Sequence, residues 1–192
     1  MTTELNPRAQ QIGDAAIAVL AEQGARGLTH RAVDAVAGLP LGTTSNYART
    51  RAALLTLALA RIAELDAAEE LSGSRLAEGL ALMLHRTITD GRARRRVLAR
   101  LELALEATRR PELRTAYDDM GRPFRAAAAR LLAANGAVEP DRDAWTLIAW
   151  LEGTAFYALA GAGTTAPPSL AVLQTQLTRL LAAMCDDDQG AA

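Results

Sequence analysis

The chain has 192 residues, half of them apolar, and a net charge of -1, which supplies enough material for a substantial core and excludes a disordered chain. A single cysteine, Cys185, excludes an internal disulfide and a multi-cysteine zinc site. No apolar run reaches the roughly 18 residues of a membrane span and the first residues lack a secretory pattern, so the expectation is a cytoplasmic protein with no membrane partner.

Alanine and leucine dominate and strand-favouring runs are nearly absent, so every element is expected to be helical. After a short polar arm, Ile12, Ala15, Ala16, Val19 and Leu20 repeat as one buried helical face, closed by Gly24 and Gly27. Thr29 stands as the cap of a second helix with Val33 and Val36 as its apolar stripe and Gly38 as its stop. The turn Leu39-Pro40-Leu41-Gly42 leads into a brief polar helix, Thr43 to Tyr47, too short to persist without neighbours. Thr50 caps a longer fourth helix with Leu54, Leu55, Leu57, Ala58, Ile62 and Leu65 on its apolar face.

Residues 66–74 read as a loop or a weak helical continuation. Helical patterning resumes over 75–90, is interrupted at Gly91, continues over 92–109 and stops at Pro111. The next segment, 112–135, is expected to kink or split at Gly121 and Pro123. Two closing helices, about 143–160 and 170–184, are separated by a Gly/Thr/Pro loop, and the acidic tail 186–192 is expected to be disordered.

Residues 29–47 therefore form two short helices around a tight turn, the geometry in which the second helix can enter a DNA major groove. Thr43, Thr44, Ser45 and Asn46 are successive short hydrogen-bonding side chains, and Asn46 is suited to adenine. Charge distribution agrees. Residues 1–63 carry six arginines (8, 26, 31, 49, 51 and 61) against four acids, so the basic surplus lies in the first third. Arg31, Arg49 and Arg51 are placed for phosphates. The same four polar side chains could instead decorate a plain surface turn.

The stretches AAIAVLAEQGARGLTHRAVDAVAGL and PLGTTSNYARTRAALL resemble the DNA-binding region of the TetR-like family of bacterial one-component transcriptional regulators, a resemblance running from Ile12 to Leu65. It implies an all-α fold, with an N-terminal three-helix helix-turn-helix domain and a larger helical ligand-binding and dimerisation domain. The division is then 1–50 for DNA binding, 51–66 as a connecting helix, and 67–185 for effector binding and dimerisation. It implies Thr29, His30 and Arg31 at the DNA backbone, and Leu41, Gly42, Thr43, Ser45 and Asn46 facing the groove. Tyr47 and Arg51 take phosphate positions, Arg51 standing where the family has a lysine. The chain departs from the family where Ser45-Asn46-Tyr47-Ala48 replaces a run richer in aromatics, and Ala48 stands for the phenylalanine that plugs the small core.

The resemblance further implies a homodimer that binds a pseudo-palindromic operator, most often as a repressor, and releases it on binding a small-molecule effector. Polar and aromatic residues of the middle helices, drawn from His85, Glu102, Tyr117, Phe124, Trp145, Trp150 and Glu152, are candidates for the pocket. Apolar stripes at Leu147, Leu151, Ala155 and Ala158, and at Leu173, Leu177, Leu180 and Met184, are candidates for the dimer interface or for packing within one chain. The run Arg92, Arg94, Arg95, Arg96 reads as a solvated face paired with acids. Two histidines and no phosphate loop, nucleophile elbow or metal motif give no basis for catalysis or for a cofactor. The alternative is a helical small-molecule-binding or scaffold protein without sequence-specific DNA binding.

Overall fold

The computed structural model describes residues 5–68 and 75–185. The chain order is α1 (Pro7–Gly27), α2 (His30–Ala37), α3 (Thr43–Tyr47), α4 (Arg51–Ala67), α5 (Leu76–Thr89), α6 (Gly91–Ala107), α7 (Pro111–Ala134), α8 (Pro140–Leu159) and α9 (Leu170–Cys185). Among the described residues every regular element is a helix, and none is long and apolar enough to cross a membrane. The expected tail at 186–192 and most of the expected linker at 66–74 lie outside the described residues.

Two compact units make up the fold, one of residues 1–70 and 92–120, the other of residues 71–91 and 121–192. In the first, α1 packs on α2 and α4, and α3 on α2. Ile12, Ala15, Ala16, Val19 and Leu20 all point into its core, with Val33 from α2, Leu54, Leu55, Ala58 and Ile62 from α4, and Ala99 and Leu103 from α6. Val36 does not join them; it is exposed, and the partly buried Ala32, Ala37 and Leu39 flank Val33 instead. Helix α1 starts more than a turn before the expected stripe. Asn6 accepts the Ala9 N–H at 2.9 Å and Pro7 follows in the first helical position, where its missing N–H costs nothing. Gly24, at φ 67°, leaves the helical conformation and breaks the last turn of α1.

A partly exposed ion pair joins α4 to α1, and a second, within α4, shares its guanidinium. Arg61 donates to Asp14 at 2.7 Å and to Glu64 at 2.6 Å, and Glu64 also accepts the Leu5 N–H at 2.9 Å. Burial pushes the Glu64 carboxyl up, but the bonds from Arg61, Leu5 and Gln10 outweigh it and hold the group below its ordinary range. The arginine run behaves as expected for a paired face: Arg95 meets Glu22 at 3.4 Å and Arg96 meets Asp66 at 2.8 Å.

In the second unit α5 lies against α9 and α8. Leu80, Ala81 and Leu84 of α5 are buried, as are Leu147, Leu151 and Ala155 of α8 and Leu173 and Leu177 of α9. Helix α7 runs unbroken from Pro111 to Ala134 with Pro123 inside it, against the expected split. Pro123 lies on an exposed stretch, where water can serve the backbone left without its N–H. Helix α8 likewise starts at Pro140, three residues ahead of the reading from periodicity.

Candidate nucleic-acid interface

The interface candidate is built from α2, the turn after it, and α3. Thr29 caps α2 by accepting the Ala32 N–H at 3.1 Å, and Gly38 ends it at φ 65°, a left-handed conformation that any other residue adopts only with strain. Gly42 repeats that conformation at φ 91° and directs the chain into α3, which has no side-chain cap of its own. A helix of five residues has almost no intrinsic stability, so its position must come from outside.

It comes from Asp34, which is 1 % exposed on the inner side of α2. One carboxylate oxygen accepts the Gly42 N–H at 2.7 Å; the other accepts the Thr44 N–H at 2.8 Å and the Thr44 hydroxyl at 2.6 Å. Three donors at the start of α3 are thus satisfied by a side chain from the preceding helix. Burial pushes this carboxyl up, but the bonds from Thr44 and Gly42 and the nearby His30 outweigh it and keep it below its ordinary value of 3.8. The sequence reading missed Asp34. Its signal was an acid beside the buried Val33, eight residues ahead of a helix start that lacks a capping side chain.

With Thr44 buried, α3 turns Ser45, Asn46 and Tyr47 outward, and Leu41 in the turn is 73 % exposed. Thr43 is engaged, its hydroxyl donating to the Pro40 carbonyl at 2.7 Å. On α2, Thr29 and Arg31 are exposed, while His30 is half-buried with Nε2 2.6 Å from the Ala48 carbonyl, which makes Nε2 the protonated nitrogen. Ala48 is buried in the core as the phenylalanine position requires, with a smaller side chain. Arg51 is half-buried and donates to the carbonyls of Ala25 and Leu28.

Residues 71–184 match the family described as tetracyclin repressor-like, C-terminal domain. The multidrug binding protein EbrR, in a structure with ethidium, is 32 % identical, with 90 % of this chain and 98 % of that one covered and a TM-score of 0.66. The chain belongs to the TetR family. A TetR-family member from Streptomyces coelicolor A3 is also 32 % identical, over 91 % of this chain and 98 % of that one, with a TM-score of 0.70. A transcriptional regulator from Rhodococcus sp. Rha1, 22 % identical over 93 % of this chain and 98 % of that one, shares the fold with a TM-score of 0.78. A search of curated protein sequences gave no match. As a TetR-family protein the chain is a transcriptional regulator with the all-α architecture that its sequence led us to expect.

In this TetR-family regulator the remaining candidate residues are divided between the two units. Glu102 and Tyr117 belong to the first unit, His85, Phe124 and Trp150 to the second. Glu102 accepts the Ala25 N–H at 2.8 Å, and the Tyr117 ring lies 4.7 Å from the Arg114 guanidinium, so both have structural partners. His85 and Trp150 are half-buried and Phe124 is exposed. Leu147, Leu151, Ala155, Leu173 and Leu177 are buried within the single chain and Leu180 is partly so. Packing against α5 and against each other occupies that stripe, and α8 instead exposes Trp145, Phe156 and Tyr157.

Replacing Asp34 by alanine strands three donors at the head of α3. Asp34→Ala is expected to keep most of the helical circular dichroism, lower the unfolding free energy by about 1–3 kcal/mol, and abolish retention of DNA in a gel shift; retention at the native level would contradict the assignment. Because the folded carboxyl titrates below 3.8, its contribution is complete above that pH and is lost as pH falls through the lower folded value. An acid titration should therefore show a component in the native chain that the variant lacks.

Proposed function

We propose that the chain is a homodimeric repressor that binds a pseudo-palindromic operator and releases it when a small-molecule effector binds. The observation that carries this reading is the outward row Ser45, Asn46 and Tyr47 beside exposed Leu41 and Gly42, on a short helix fixed from behind by Asp34. Asn46 has the bidentate geometry for an adenine edge and Leu41 an apolar surface for a thymine methyl. Thr29 and Arg31 at the start of α2 and Arg49 after α3, all exposed, face the DNA backbone in this reading. Residues 1–50 are the DNA-binding part, 51–66 the connection, and 67–185 the effector and dimerisation part, in a cytoplasmic protein.

Within the second unit, His85, Phe124 and Trp150 are the residues we favour for effector contact, and the complex of EbrR with ethidium supports an aromatic ligand. Dimerisation is assigned to the outward face of α8. Trp145 and Phe156, eleven residues and about three turns apart, share one side of the helix with Tyr157 beside them, and the three are 67 %, 50 % and 55 % exposed, an apolar display that a monomer would leave in water.

Selection of bound duplexes from a random library should enrich an inverted repeat whose half-sites lie about 34–36 Å apart. Asn46→Ala should then relax one base position in each half-site, at a cost of about 1–3 kcal/mol. Absence of any enrichment by a folded dimer would favour the ligand-binding or scaffold alternative. For the interface, Phe156→Glu is expected to give a helical monomer in sedimentation and to weaken binding to the full repeat more than to a single half-site. An unaltered dimer would move the interface elsewhere.

A further inference from the structure

Arg51 occupies the first position of α4, directly after its cap Thr50. A cation there opposes the helix dipole, so its retention calls for a specific partner. The guanidinium supplies one by reaching the end of α1, where one terminal nitrogen donates to the Leu28 carbonyl and the other to the Ala25 carbonyl. Both carbonyls lie at the C-terminal end of α1, where a helix leaves its last carbonyls without helical partners, and the Ala25 carbonyl also accepts the Leu28 N–H at 3.2 Å. Glu102 of α6 takes the other backbone group of Ala25, accepting its N–H at 2.8 Å. Glu106, one turn further along α6, is held below its ordinary range by the Arg110 bond at 2.8 Å first, with the Arg51 charge among the remaining contributors. Leu28 immediately precedes the cap Thr29 and the first turn of α2.

We infer that Arg51 serves DNA recognition as a positioning residue, a planar clamp that fixes the entry into α2 by holding the Ala25 and Leu28 carbonyls, and that it is not a ligand of the DNA backbone. This rests on the regulator reading and corrects the phosphate role that the resemblance implies. A phosphate ligand needs its fork turned toward solvent; this fork is turned inward and two of its donors are spent on carbonyls. Arg49, two residues earlier and exposed, is the contrasting case.

Two measurements on the full chain test the clamp. In the DNA-free protein, Arg51→Met should speed amide exchange at Ala32 and Val33, the first-turn N–H groups that bond to Thr29, by about tenfold, whereas Arg49→Met should leave them unchanged. Exchange unaltered by Arg51→Met would overturn the clamp whether or not the chain binds DNA. With the selected operator, Arg51→Met should weaken binding by about tenfold at every salt concentration and leave the slope of log affinity against log salt unchanged. Arg49→Met should lower that slope by about one. A fall in slope for Arg51→Met as large as for Arg49→Met would make Arg51 a phosphate ligand after all. Arg51→Gln, which keeps polarity without the fork, provides the same comparison if the methionine variant folds poorly. Failure of the native chain to retain any duplex would count against the regulator reading and leave the exchange result to decide the clamp.

Discussion

A carboxylate with almost no contact with water holds the head of a helix that could not exist alone. Asp34 replaces, from the inner side of α2, the cap that Gly42 cannot provide, and its three short bonds set both the position and the rotation of α3. Rotation matters most here. With Thr44 tied inward, the next two residues are forced outward by the 100° step of the helix, and they are the two best hydrogen-bonding side chains of the segment. The left-handed glycines at 38 and 42 complete the constraint, since the chain must turn twice within a few residues to bring those N–H groups to one carboxylate.

The chain has no lysine, and its arginines are divided between structure and surface. Arg61 joins α4 to α1 through Asp14, Arg96 and Arg100 converge on Asp66, Arg110 holds Glu106, and Arg51 grips two carbonyls. Arg31 and Arg49 are left at the face presented by α2 and α3. A net charge of -1 is compatible with a family of DNA-binding regulators, because the sum does not say where the charges lie and Arg31 and Arg49 are exposed on one face.

Elements with chemically explicit ends were legible in the sequence. Thr29, Gly38 and Thr50 bound α2 and α4 where the capping chemistry put them, and the apolar stripe of α1 is buried residue for residue. The starts of α1 and α8 were misplaced because periodicity begins only where a helix is buried, while Pro7 and Pro140 lie in first turns outside the stripe. The expected break in α7 failed because a proline is tolerated where water can reach the backbone. Tertiary partners were illegible. Only the uncapped start of α3 hints that Asp34 points inward, and nothing local reveals that Arg51 folds back on α1 or that the leucines of α8 and α9 serve their own unit and leave Trp145 and Phe156 outside. In each case a side chain had two chemically acceptable environments, and only packing chose between them.

Amide hydrogen exchange at Gly42 and Thr44 in the DNA-free protein tests the role of Asp34 most directly. Both N–H groups sit at a turn and at the start of a five-residue helix, where an unassisted backbone exchanges almost as fast as an unfolded chain. If the buried carboxylate governs the recognition helix, the two amides will be protected to nearly the level of Val33 in the core. Exchange at the rate of an open loop would mean that α3 is not held in place before DNA arrives, and that the account built on Asp34 is wrong.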